Sequence, residues 1–398
     1  MRTKVAITGI GIISSIGKTV EENFHALVSK KSGISRLENF YSKHVNDIKV
    51  GEIKHTNEEL ASLLHLPLEH SYSRTFLLGA YAAKQAVISA QISDINELRT
   101  GLISSTSVGG MDLTEKHYKS YDAHPEYLPY IKSHHAGDST QKIADYIGLK
   151  GFATTLSTAC SSAANAIMMG ATMVENGLLD RVIVGGTDAL SKFTINGFKT
   201  LMILSDTDNT PFDQNRKGLN LGEAAAYLVL ESEYIAQASG KKILAYISGY
   251  GNANDAFHQT ASSENGEGAY LSMKKAFEKA QIQPSEIDYI NAHGTATPNN
   301  DLSEGRALLR IFSSVPAFSS TKSYTGHTLA AAAAIEAVYS VLSLQENCIF
   351  PTLNFQTPME EFHLIPATEV YYTPIEHVLS NSFGFGGNCS TLIFSKDL

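Results

Sequence analysis

The sequence predicts an α/β protein built from two related halves, and three observations carry that expectation. Strand-forming and helix-forming segments alternate along most of the chain. The run Val5-Ala6-Ile7-Thr8-Gly9-Ile10-Gly11 is echoed by Ile243-Leu244-Ala245-Tyr246-Ile247-Ser248-Gly249-Tyr250-Gly251. After each run, strands, helices and polar loops follow in the same order, which is the mark of an internal duplication. Such alternation argues for layers of helices on mostly parallel sheets. The expected halves are 1–238 and 239–398.

In the first half, Val5 to Ile13 reads as a buried strand and Glu21 to Val28 as a short helix. Residues 35–70 are mixed and polar, as in a surface excursion. Helical spacing runs from Arg74 to Ile88, followed by a strand at Thr100–Ser104 and the loop Ser105-Thr106-Ser107-Val108-Gly109-Gly110. The stretch 113–145, rich in Tyr, His and Lys, lacks periodicity and reads as an inserted cap. Apolar residues at Ala163, Ala166, Ile167, Gly170 and Met173 then have helical spacing over 161–176, with Gly177 as the stop. A strand at Arg181–Val184 leads into Gly185-Gly186-Thr187-Asp188, which looks like a tight turn.

The second half repeats this order. Leu271–Gln281 reads as a helix, Ile287–Ala292 as a strand and His293-Gly294-Thr295-Ala296-Thr297 as a loop. Ser319 to His327 then runs into an Ala-rich helix over 328–344, just as Ser157–Cys160 runs into 161–176. The chain closes with the Gly-rich loop Phe383–Gly387 and a strand at Ser390–Phe394.

Composition narrows the function. Of 398 residues, 43% are hydrophobic and 18% charged, which suits a globular protein with a large core. The net charge of −9, with no basic cluster, argues against nucleic acid. Three scattered cysteines suit neither a disulfide framework nor a zinc site. The apolar start is broken by Gly9 and Gly11, unlike a signal peptide, and no apolar run approaches the ~20 residues of a membrane span. A cytoplasmic protein is expected.

Four polar loops at matching positions in duplicated halves should converge at one sheet edge. They carry Cys160, His293, Lys322 with His327, and the Gly-rich loop. A cysteine at a strand-to-helix turn sits beside free backbone N–H groups and the positive end of the helix dipole, which favour the thiolate. Nucleophile, paired histidines, a cation and a backbone-exposing loop together fit acyl transfer to a thiol.

Thr158-Ala159-Cys160-Ser161-Ser162, Asn291-Ala292-His293-Gly294-Thr295 and Lys322-Ser323-Tyr324-Thr325-Gly326-His327 give the chain a wider resemblance. Along essentially its whole length it resembles the β-ketoacyl–acyl-carrier-protein synthases, above all the type II elongation enzymes. The resemblance implies a thiolase-like fold: two duplicated α/β halves in five layers, α-β-α-β-α. It implies that Cys160 takes an acyl chain as a thioester, and that His293 and His327 bind the malonyl thioester carbonyl as carbon dioxide leaves. Lys322, held by Glu304, would support the site electrostatically. Phe385 would gate the pocket, its N–H joining that of Cys160 in an oxyanion hole, and Val108 and Phe383 would line the acyl tunnel. No cofactor or metal is implied.

The implied partners are an acyl carrier protein bearing acyl and malonyl groups, and a second subunit. That subunit would be a copy of this chain or a related ketosynthase-like chain, paired through the strand Arg181–Val184. Some positions depart from the resemblance. Glu69-His70-Ser71-Tyr72 and His124-Pro125-Glu126-Tyr127 stand where basic residues would grip an acidic carrier. Leu221-Gly222-Glu223-Ala224-Ala225-Ala226 replaces a Gly-rich run, and Asn388-Cys389 replaces Thr-Asn. Kept catalytic residues beside a changed docking surface suit a specialised synthase, such as one making a polyene or polyketide. The competing readings are a partner subunit that mainly shapes chain length, disfavoured by Cys160 and both histidines, and a non-decarboxylating thiolase, disfavoured by His327 and Lys322.

Overall fold

The structure, a computed structural model, describes residues 3–67 and 71–397. Its centre is a ten-stranded mixed sheet in which the duplication is explicit. From one edge to the middle run Phe152–Leu156, Thr100–Ser105, Arg181–Asp188, Ala224–Ser232 and Val5–Ser14. From the other edge run Ala317–Ser319, Tyr289–Asn291, His377–Phe383, Asn388–Ser395 and Ala245–Asn254. Strand for strand, the second series repeats the chain order of the first. The two half-sheets pair with each other where Ala6 meets Tyr246 and Ile7 meets Ala245.

Mostly parallel pairing is not what is found. In each half the outer strands pair parallel and the inner ones antiparallel. The physical reason is in the connections. Helical crossovers join the outer strands, whereas the short loop 384–387 turns His377–Phe383 straight back into Asn388–Ser395, and a hairpin can only be antiparallel.

Helices Ser162–Glu175 and Ala332–Glu346 touch strands of both halves, so they form the middle layer. Arg74–Ser89 covers the outer face of the first half and Glu267–Ala280 that of the second, which gives the five layers. The segment Leu329–Glu346 is, by length and composition, apolar enough to cross a membrane, contrary to the expectation that no such run exists. It is 89% buried between the half-sheets, which explains its apolarity without lipid.

Other expectations are corrected. Gly185-Gly186-Thr187-Asp188 is strand, not turn, since all four residues stay in register against Ala224–Tyr227. Within 113–145 lie the helix end at His117, two short helical turns over 125–132 and most of helix Ala136–Tyr146. That last helix packs on Arg74–Ser89, so only the earlier part is a cap. Within 35–70, helix Asn57–Leu63 buries Leu60 and Ala61, while residues 68–70 lie outside the described residues. The strand Arg181–Asp188 cannot pair with a second subunit, because both its edges are taken by Thr100–Ser105 and Ala224–Ser232. The open edge in this half is Phe152–Leu156, just before the Cys160 turn. Glu223, one of the departing positions, is a buried clamp: it pairs bidentately with Arg74 and accepts the Ile53 and Leu190 N–H groups.

The echo between the halves has a packing cause. A Cβ on Gly11 would lie 2.2 Å from the Ala82 carbonyl of the covering helix, and one on Gly251 would lie 2.2 Å from the Ser272 carbonyl. Helix backbone rests directly on strand backbone at both places, so only glycine fits. Gly11→Ala and Gly251→Ala should each therefore destabilise by about 1–3 kcal/mol or more through overpacking. Urea unfolding midpoints check this; an unchanged midpoint for either would contradict the packing argument.

Candidate active site

The nucleophile turn is strained and supported. Ala159, just before Cys160, has φ +54°, a left-handed conformation that costs a non-glycine residue ~1–2 kcal/mol. Ser162 holds it in place: its N–H and hydroxyl both donate to the Ala159 carbonyl, and its oxygen accepts the Thr158 N–H at 2.8 Å. The turn thereby presents the Cys160 side chain at the head of helix Ser162–Glu175.

His293 and His327 come from the second half. Their rings meet edge to face with centroids 5.4 Å apart, and both are buried. The Phe383 ring lies 5.4 Å from that of His293. The His293 loop is pinned from below by Glu304, which accepts the His293 N–H at 2.9 Å, the Gly294 N–H at 2.8 Å and the Asn381 amide at 3.2 Å. Glu304 is therefore not the partner of Lys322, as the sequence had suggested. The buried Lys322 ammonium pairs with Glu336 of the middle-layer helix, whose carboxylate also accepts the Ser382 hydroxyl.

These loops surround one cavity of about 370 Å³, lined by Cys160, His293, His327, Phe383, Phe385 and Cys389 among others. The Phe385 ring stacks on Phe198, with centroids 5.9 Å apart. Its backbone N–H and that of Cys160 both favour the charged form of the Cys160 sulfur. Val108 does not line this cavity. Its N–H instead approaches the buried Asp188, which also accepts from Thr106, Ser107 and Ala330.

Burial dominates the electrostatics. It pushes the Cys160 thiol up to about 11, outweighing Lys322 and the two N–H groups that favour the thiolate. The expected thiolate is thus overturned for this buried site: with the residue 5% exposed, lost hydration exceeds the dipole's contribution. Burial, then Lys322, holds both histidines well below their usual range, so both are neutral near pH 7. Burial also pushes Glu304 up to about 7. Cys160, His293 and His327 are thus buried and neutral, beside the ion pair of Lys322 and Glu336.

A family model described as "Beta-ketoacyl synthase, N-terminal domain" matches residues 2–236, and its C-terminal counterpart matches 244–356. The chain belongs to the β-ketoacyl synthase family. A 3-oxoacyl-[acyl-carrier-protein] synthase 2 of Staphylococcus aureus (strain COL) is 35% identical, over 99% of this chain and 98% of that protein. Among solved structures, the ishigamide ketosynthase/chain length factor superposes with a TM-score of 0.94 at 30% identity, covering 100% of both chains. A ketosynthase (ApeO) in complex with its chain length factor (ApeC) from Xenorhabdus doucetiae gives 0.87 at 31%, covering 99% of this chain and 98% of that one.

Two residues of this β-ketoacyl synthase escaped the sequence reading. Glu336 stands alone in the apolar run Ala331–Leu344, and a lone carboxylate in such a helix requires a buried partner, which was the available signal. Asp188 ends a run of apolar residues and glycine that reads as a turn, so its role in tying together the loops around Val108 and Ala330 was hidden.

The raised Glu304 pKa fixes a sign. A carboxyl whose folded value lies above its unfolded value contributes stability that is full below the unfolded value and lost as pH rises through the folded one. Here that window runs from 4.5 to about 7. Glu304→Gln, which cannot ionise, should gain stability relative to the parent enzyme across this window and hold the gain above it. Unfolding free energies from pH 4 to pH 8 check this; a difference independent of pH would contradict it.

Proposed function

We propose that this synthase joins an acyl thioester to a malonyl thioester with loss of carbon dioxide, giving a 3-oxoacyl thioester on an acyl carrier protein. The observation that supports this most is the single cavity onto which Cys160, His293 and His327 all open.

In the first step the Cys160 sulfur attacks the acyl thioester, and the carrier thiol leaves with the proton that Cys160 gives up. Because the thiol is neutral when buried, that proton needs an acceptor during attack, and the neutral imidazoles beside it can relay it. The Cys160 and Phe385 N–H groups receive the charge on the tetrahedral oxygen. In the second step the malonyl carbon–carboxylate bond breaks, and its electron pair becomes an enolate whose oxygen faces His293 and His327. Neutral imidazoles suffice here as hydrogen-bond donors, and Lys322 adds a fixed positive field. The enolate carbon then attacks the acyl-Cys160 carbonyl, and the Cys160 sulfur departs as the new carbon–carbon bond forms.

The partners we infer are the carrier protein and a second ketosynthase-like subunit set against the open strand Phe152–Leu156. The cell compartment we infer is the cytoplasm, and the two halves are taken to divide near residues 238–239. A role limited to shaping chain length would have no use for Cys160 with both histidines.

Mutants separate the two steps. Cys160→Ala should abolish acyl-enzyme formation while still releasing carbon dioxide from malonyl carrier protein. His293→Ala and His327→Ala should each slow that release by ~100-fold, as for a lost charge-stabilising donor, and the double mutant should be far from additive. Intact mass of the enzyme and release of labelled carbon dioxide are the readouts. Normal decarboxylation by both single mutants would overturn the assignment.

The subunit proposal has its own check. Light scattering at micromolar concentration should give a particle of at least two chains of 43.0 kDa, alone or with a related subunit. A monomer under both conditions would refute it.

A further inference from the structure

The two backbone N–H groups that favour charge at the Cys160 sulfur belong to different halves of the molecule. That of Cys160 comes from the first half, and that of Phe385 from the loop closing the second. Their separation depends on how the Gly384–Gly387 loop is set against the nucleophile turn, since the sheets of the two halves share only a short stretch of strand pairing. We propose that Asn388 does this and is a positioning residue for acylation of Cys160. The proposal rests on the synthase reading above.

Asn388 has two attachments. Its backbone carbonyl accepts the Gly384 N–H at 2.8 Å, which closes the loop that carries Phe385. Its side-chain oxygen accepts from Ser161 Oγ at 2.7 Å, Asn165 Nδ2 at 2.8 Å and Asn252 Nδ2 at 2.9 Å, with Ser390 Oγ at 3.4 Å. Ser161 follows the nucleophile directly, and Asn165 lies one turn further along the same helix. Asn252 sits on the first strand of the second half and also donates to Asn165 Oδ1 at 2.9 Å. One amide oxygen thus ties the nucleophile's helix to the second half's sheet and to the loop bearing the other donor.

The fit at this junction is tight. A Cβ on Gly384 would lie 2.7 Å from the Thr158 carbonyl and 3.2 Å from the Cys160 N, so the loop is seated directly on the nucleophile turn. A side-chain carbonyl has two lone pairs, and here it meets three donors within 2.9 Å. Removing that oxygen leaves Ser161 and both asparagines without their shared acceptor and takes away the hydrogen bond between Ser161 and the residue that closes Gly384–Gly387. Displacement of about 1 Å between reacting groups and their donors costs on the order of a hundredfold in rate.

His293 and His327 are held separately, by Glu304 and by the Asn220 backbone, so the decarboxylation donors do not depend on this junction. That independence gives the test. Asn388→Leu keeps the shape and removes the acceptor; Asn388→Asp restores acceptor oxygens; Ser161→Ala removes a single donor. With an acyl N-acetylcysteamine thioester as probe, acylation of Cys160 is followed by intact mass. Carbon dioxide release from a malonyl thioester is followed in parallel.

Asn388→Leu should slow acylation at saturating donor by ~30–100-fold, Ser161→Ala by ~3–10-fold, and Asn388→Asp should recover to within ~5-fold of the parent. Carbon dioxide release should stay within ~3-fold throughout. Equal losses in both reactions would mark a merely structural role and overturn the proposal, as would unchanged acylation by Asn388→Leu. A parent enzyme inert in both reactions would overturn the synthase reading and this proposal with it.

Discussion

The buried pair of Lys322 and Glu336 is the interaction on which the site depends. A lone ammonium at this depth would cost several kcal/mol in lost hydration, and Glu336 makes it tolerable. Once in place, the cation acts through a low-dielectric interior where little screens it. It opposes protonation of both histidines and favours the charged form of Cys160. The pocket can therefore offer neutral N–H donors and still hold positive potential where enolate charge develops. A protonated histidine in the same place would add a second buried cation beside Lys322, whose charge disfavours it.

Duplication explains why these groups meet at all. Each half places a strand-to-helix turn at the same end of its sheet: Thr158 to Ser162 in the first, Ser320 to Thr328 in the second. The two middle-layer helices pack against each other, so their leading turns lie side by side. The ancestral turn has been put to different uses. One copy presents a thiol on a strained elbow; the other buries a lysine and a histidine. A third loop, the hairpin between His377–Phe383 and Asn388–Ser395, covers the join.

Much of this was legible because the signals are local. Gly-x-Gly in each first strand records a helix backbone lying on it, and the small residues of Ser162–Glu175 record a helix that meets strands of both half-sheets. Cys160, His293, His327 and Lys322 stood out through residue types unusual for their surroundings. What stayed hidden was non-local. Which carboxylate meets Lys322 depends on how the middle helix is rotated, and both Glu304 and Glu336 lie within reach along the chain. Strand direction in the inner sheet depends on a hairpin that composition reads only as a glycine-rich loop. The protonation of Cys160 depends on how completely the pocket closes over it; the helix-terminus rule holds only where water still reaches the sulfur.

That last point bears on how the enzyme works through a cycle. The thiol is neutral here, and the two N–H groups that favour charge at its sulfur lie on the Cys160 turn and on the Phe385 loop. An arriving thioester must place its carbonyl oxygen between those N–H groups as the sulfur attacks. The donors then receive the developing oxyanion without any change in their own positions. Such reception works only if both donors stay fixed while the ligand between them changes. The strained Ala159, clamped by Ser162, fixes one donor, and the asparagine junction at Asn388 fixes the other. The backbone strain near the nucleophile and the crowded hydrogen bonds behind it thus serve the same requirement, a rigid frame around an exchangeable acceptor.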